Sequence, residues 1–132
     1  MKKNDIIICE KSRKQLQALY TELHPYALKK PHDTVTKFKL NVVNSLLGTI
    51  DNLIGQENLP IAGFTLFDED SMPNISDISL VLNQYIQALE IFRSRNIELD
   101  DEDENIWIYK IDDADNDEDY LIIQTDPPTS FR

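Results

Sequence analysis

Asp113, Asp115 and Asp117 alternate within Asp113-Ala114-Asp115-Asn116-Asp117-Glu118-Asp119. Carboxylates at the first, third and fifth positions of a loop are how a calcium site of the EF-hand kind opens. The demanding positions then fail. The sixth needs Gly for a sharp turn and holds Glu118, and the twelfth needs a bidentate Glu and holds Gln124. Three readings of Asp112 to Asp119 stay open: looser, non-EF-hand calcium binding, a solvated hairpin tip, or a surface presented to the Lys and Arg of another protein.

Other chemistry is sparse. Cys9 with His24 or His32 is the only Cys/His set, and Cys9 falls on an apolar helical stripe, where a buried and inert thiol is the usual outcome. Glu69 and Asp70 could pair as acid and base, but adjacent carboxylates recur throughout so acidic a chain. The sequence has no Gly-x-Ser-x-Gly, no glycine-rich phosphate loop and no Cys or His cluster of zinc type. Three glycines in the whole chain also argue against a nucleotide-binding backbone. The expectation is a protein without catalytic activity, cofactor or dedicated metal.

Carboxylate density points instead to a partner. From Asp100 to Asp119 eleven Asp and Glu stand against Lys110 alone, and that much like charge on so short a stretch repels itself. The blocks are Asp68, Glu69 and Asp70; Asp100, Asp101, Glu102, Asp103 and Glu104; and Asp113, Asp115, Asp117 and Asp119. Apolar or aromatic residues border each of them. Trp107 either packs in the core or projects as an aromatic anchor inside a charged ring, as at the centre of strong interfaces. These residues are the candidate partner-binding set.

The charge is also unevenly spread. Residues 1–39 hold nine Lys and Arg against four Asp and Glu, a net of +5, whereas residues 40–132 carry a net of −16. The basic segment could fold back to neutralise the acidic hairpin. A net charge of −11 disfavours nucleic acid and anionic lipid, both of which want Lys and Arg. The partner expected is therefore a basic protein.

Positioning these residues takes one domain, and 132 residues are enough for a core without disulfides or metal. A single cysteine fits a reducing, cytoplasmic setting. Ile6-Ile7-Ile8-Cys9 is shorter than the roughly 7–15 apolar residues of a signal peptide, and no run approaches the ~20 of a membrane span. Apolar periodicity predicts helices over 5–24, 34–54 and 75–95. The first is capped by Asp5 and stopped at His24-Pro25, although Ile6-Ile7-Ile8 could instead form a strand. The second buries Val35, Phe38, Val42, Leu46, Ile50 and Leu53, with Gly48 at a close helix crossing and Gly55 past its end. The third, capped by Asn74 or Ser76, buries Ile78, Val81, Leu82, Tyr85, Leu89 and Phe92, and Arg93 and Arg95 suit its C-terminal end. Phe64-Thr65-Leu66-Phe67 is a candidate strand in the long connector. A hairpin over 105–126 pairs Ile106–Ile111 with Tyr120–Ile123 and ends at Asp126-Pro127-Pro128. The fold class expected is α+β, a three-helix core with a C-terminal antiparallel β-hairpin.

In small size, acidity, absence of catalytic motifs and the carboxylates Asp68-Glu69-Asp70 and Asp100 to Glu104, the chain resembles the immunity proteins of bacterial toxin–immunity systems, including those of contact-dependent growth inhibition. That resemblance implies a cognate nuclease toxin, plausibly acting on tRNA, whose basic active-site cleft the acidic surface would block. The rival readings are an acidic calcium-binding protein and a nucleic-acid mimic that inhibits a DNA- or RNA-binding enzyme.

Calcium separates the first rival. If the acidic loop only presents charge, millimolar calcium at physiological salt leaves the melting temperature and Trp107 fluorescence nearly unchanged. Micromolar binding with a large rise in melting temperature would establish a calcium protein, because a ligand of the folded state stabilises it by mass action.

Overall fold

The computed structural model describes residues 1–112 and 123–129. Three helices, α1 (Lys3–Lys29), α2 (Lys37–Ile54) and α3 (Ile75–Ser94), are followed by three short strands, β1 (Ile97–Leu99), β2 (Trp107–Tyr109) and β3 (Gln124–Thr125). The strands form an antiparallel sheet in the order β1-β2-β3. This is the α+β architecture expected, with one addition. Ile97–Leu99 is a strand and not merely an acidic turn: Ile97 pairs with Tyr109 and Leu99 with Trp107. Ile97 and Tyr109 are both buried, so this cross-strand pair seats the sheet on the helices. Of the second hairpin strand, residues 120–122 lie outside the described residues; the described strand is Gln124–Thr125, which ends before Asp126-Pro127-Pro128, since neither Pro can donate to a ladder.

The first helix runs through Pro25 instead of stopping there. An interior Pro forfeits one backbone hydrogen bond and costs a helix about 3 kcal/mol. Tertiary contacts offset this: Leu23 and Ala27 on either side are buried, and His24 Nδ1 lies 3.0 Å from Ser79 Oγ on α3. Tyr20 stacks on the same imidazole at 4.8 Å. The helix stops at Lys30, whose N–H donates to the Tyr26 carbonyl, because Pro31 follows. Its N-cap is Lys2, leaving Asp5 in the first turn, and Ile6-Ile7-Ile8 is helical.

Correction is also needed in α2. Thr36 caps it, its hydroxyl accepting from the Lys39 N–H, so the helix begins later than Asp33 or Thr34. Its buried face is Leu40, Val43, Leu46, Leu47, Ile50 and Ile54. Phe38, expected inside, is 76% exposed, and Val42 is exposed too. Both sets fit a helical period, and packing on α1 selected the second. Gly48 marks no crossing, since a Cβ there would meet nothing within 4 Å. Gly55 ends the helix with φ of 85°, a backbone conformation that favours glycine.

Helix α3 matches its sequence signal closely. Asn74 caps it by accepting from the Asp77 N–H at 2.8 Å, and Ile78, Val81, Leu82, Tyr85 and Leu89 are buried, with Phe92 half-buried. The Tyr85 hydroxyl donates to Asp51 Oδ1 at 2.7 Å and ties α3 to α2. The long connector holds no strand at Phe64–Phe67. Phe64 and Phe67 meet edge to face, and the Asn44 side chain clamps the Phe67 backbone, donating to its carbonyl and accepting from its N–H.

The buried stripe of α3 is the test of this core. Leu89→Ala should cost about 2–5 kcal/mol in a denaturant melt through lost burial and a residual cavity. Phe38→Ala should change stability by no more than ~0.5 kcal/mol. Comparable losses at both positions would mean that α2 turns its other face inward.

Candidate functional site

The Asp100–Glu104 block is the turn between β1 and β2. The Asp100 N–H donates to the Ile106 carbonyl at 2.8 Å, and the Ile106 N–H donates to the Asp103 carbonyl at 3.1 Å. Two of the carboxylates shape this loop from within. Asp100 Oδ1 accepts from the Glu102 N–H, and Asp103 Oδ1 accepts from the Asn105 N–H at 3.0 Å, side-chain bonds that stand in for a backbone turn. Asp101, Glu102 and Glu104 are exposed, and their carboxylates take no part in these bonds.

Asp68–Asp70 is built the same way. Glu69–Ser71 forms one 3-10 turn, and Asp68 caps it by accepting from the Asp70 N–H at 3.0 Å. Asp68 and Asp70 are exposed and Glu69 is half-buried. This block precedes the N-terminus of α3, and Asp100–Glu104 follows its C-terminus. The two blocks are thus separate turns of the chain, one on either side of α3 in sequence. Asp113, Asp115, Asp117 and Asp119 lie outside the described residues. Asp112, just before them, leaves β2 at the Tyr109 end, opposite the Asp100–Glu104 turn, and pairs at 2.9 Å with the α-amino group of Met1.

Trp107 is half-buried and packs against the core beside the Asp100–Glu104 turn. That is the packing alternative for this residue. Cys9 and His24 do not meet: they are fifteen residues apart on one helix, about 22 Å by its rise. Cys9 is buried, and burial pushes its thiol up to about 11. Among the described residues no group of His, Cys, Asp and Glu is arranged to hold a metal ion, and no helix is long and apolar enough to cross a membrane.

A buried polar network escaped the sequence reading. Arg93, assigned by its charge to the C-terminal end of α3, is 0% exposed. All five of its N–H donors are used. Nε donates to Glu90 Oε2 at 2.9 Å, and Nη2 donates to Glu90 Oε1 at 2.6 Å and the Pro127 carbonyl at 3.0 Å. Nη1 donates to Thr125 Oγ1 and the Asp126 carbonyl, both at 2.8 Å. Glu90 Oε1 also accepts from the Thr129 N–H. Beside it, Glu10 Oε1 accepts from the hydroxyls of Tyr109 and Thr125, and Arg13 bridges Glu10 and Asp126. One signal was available: the α3 stripe 78-82-85-89, extended by four residues, arrives at 93.

Burial alone would push the Glu10 carboxyl up. Hydrogen bonds from Thr125 and Tyr109 and the charge of Arg13 outweigh it and hold the group below the usual carboxylate range. Glu90 is likewise opposed by burial, but the Arg93 hydrogen bonds and the Thr129 N–H keep it low. Both carboxylates are occupied by the chain itself, so the network fastens residues 125–129 across α1 and α3. The exposed acidic turns at 68–70 and 100–104 take no part in this network. No family model, curated protein or solved structure matches the chain.

The depressed Glu10 and Glu90 fix the sign of an acid response. Groups whose folded pKa is lowered contribute stability at neutral pH and lose it as pH falls below the unfolded value, about 4.3 for Glu. Relief of carboxylate repulsion acts in the opposite sense, so the comparison must be between variants. Glu10→Gln should lower the melting temperature at pH 7, with the gap to the parent closing below about pH 4. A gap constant from pH 7 to pH 3 would show that the Glu10 charge contributes nothing to the fold.

Proposed function

We propose that the chain is an acidic binding protein that neutralises a basic partner, and that this partner is the nuclease domain of a toxin against which the chain confers immunity. One observation supports this above others. Among the described residues, none of the eight carboxylates at 68–70 and 100–104 forms an ion pair, although the chain pairs Glu10, Glu90, Asp112 and Asp126 with cations of its own. The basic first segment does not neutralise these two acidic turns, and their charge stays available for another molecule. Complementary charge steers association, and an inhibitor that must reach a nuclease before its substrate does gains from a fast on-rate. The absence of a recognisable catalytic motif agrees with a binding role, exercised in the cytoplasm of the protected cell without cofactor, nucleic acid or membrane.

The turn geometry supplies a clean test. Asn can accept the same backbone hydrogen bonds as Asp, so Asp68→Asn/Asp70→Asn and Asp101→Asn/Asp103→Asn variants remove charge and keep the loops. Association with the cognate nuclease should slow steeply as salt rises, with dissociation changing less. Whichever block lies in the desolvated centre should, when neutralised, raise the off-rate, cost about 2–5 kcal/mol and lose protection in cells. The other should lower only the on-rate. If neutralising both blocks together left binding and protection intact, the acidic surface would serve solubility alone and the proposal would fail.

A further inference from the structure

The outer side of α1 separates two grooves. The one shared with α3 has a volume of about 710 Å³ and runs past Lys14, Thr21, Ile86 and Gln87. The one shared with α2 has a volume of about 550 Å³ and is walled by Leu19, Phe38 and Val42. Ala18 and Glu22 line both, so they form the crest between. In a chain with 24 Asp and Glu, Glu22 is the one charged residue lining the α1–α2 groove among the described residues. Depletion of charge around exposed aromatic and apolar groups is what distinguishes interface cores from ordinary surface.

We propose that this face is the contact between two copies of the chain, related by a two-fold axis passing through Ala18. The spacing carries the assignment. Lys14, Ala18 and Glu22 stand four residues apart and share one side of the helix. Laying α1 antiparallel on α1 of a second copy about Ala18 sets Lys14 against Glu22 of that copy, and Glu22 against its Lys14. A two-fold contact must be self-complementary in this way, each surface carrying both halves of every pair. Neither Lys14 nor Glu22 forms an ion pair within the chain among the described residues. The Ala18 methyl lets two helices approach at the crest, where a larger side chain would hold them apart. Phe38 and Val42 on the flanking helix are then covered.

Self-complementarity of the Lys14 and Glu22 pair selects a second copy over other occupants. Two copies with a net charge of −11 repel each other at long range, so a contact between them must lie where no carboxylate turn stands, as on the crest of α1. A strongly basic partner is better served by the acidic turns, and a strongly acidic partner or an anionic lipid surface meets Glu22, Glu90 and Asp126 beside Arg13 and Lys14. Neither groove is lined by residues 68–70 or 100–104, so the proposed contact does not rest on the proposed function.

Sedimentation velocity on the full chain, from about 1 µM to about 1 mM at about 0.15 M salt to screen the net repulsion between acidic copies, tests this directly. A concentration-dependent dimer is expected. Lys14→Glu and Glu22→Lys should each weaken it at least about tenfold by setting like charges together. The double variant K14E/E22K should restore it, because the swap rebuilds both pairs. Ala18→Arg should abolish it. Lys14, Ala18 and Glu22 are exposed, so circular dichroism should show every variant folded. A monomer at all concentrations would overturn the proposal. So would a dimer indifferent to the charge changes, or a double variant no better than the singles.

Discussion

Arg93 is the constraint on which the placement of β3 and the segment after it depends. A guanidinium taken wholly out of water is costly unless every donor finds an acceptor, and here all five do. Two of those acceptors belong to Glu90, one turn back on the same helix. The other three belong to residues 125–127, far along the chain. One side chain therefore ties the end of α3 to the last strand and the segment after it. Its charge is balanced by Glu90 at a buried site where an unpaired cation could not persist. Glu10 and Arg13 repeat the arrangement from α1, so the sheet is held to both helices by polar bonds where its short strands offer little apolar surface.

This network divides the carboxylates into two populations. Glu10, Glu90 and Asp126 face cations of the chain, and their pKa values are drawn down by it. The carboxylates of the two exposed turns face solvent. Several of these, Asp68, Asp100 and Asp103, nonetheless spend one oxygen on the backbone of their own loop. Negative charge is thus displayed on turns whose shape the same residues maintain. Surface charge and local structure are coupled in a few aspartates, and Asp-to-Asn changes can separate the two.

The third helix was legible because its cap, its apolar stripe and its dipole-matched ends agree with one another. Elsewhere local signals competed. Pro25 is a strong local stop signal, yet the buried neighbours Leu23 and Ala27 carry α1 past it. Ile97–Leu99 has too few residues to announce a strand and becomes one only because β2 lies alongside. The acidic blocks were legible as residues, but not that Asp68, Asp100 and Asp103 hold the backbone of their own turns, since those bonds depend on loop geometry.

By itself the sequence determined the number of helices, the α+β class, the cap of α3, the concentration of negative charge and the absence of a recognised catalytic signature, because each follows from residue type and short-range spacing. Tertiary structure decided what periodicity leaves degenerate. In α2 two apolar stripes share one helical period, and packing on α1 buried Leu40, Val43, Leu47, Ile50 and Ile54 while Phe38 and Val42 stayed outside. It likewise decided that Arg93 lies inside. A lone cation reads as surface in sequence, and only the carbonyls of residues 126 and 127, brought from more than thirty positions away, give it a place to be buried.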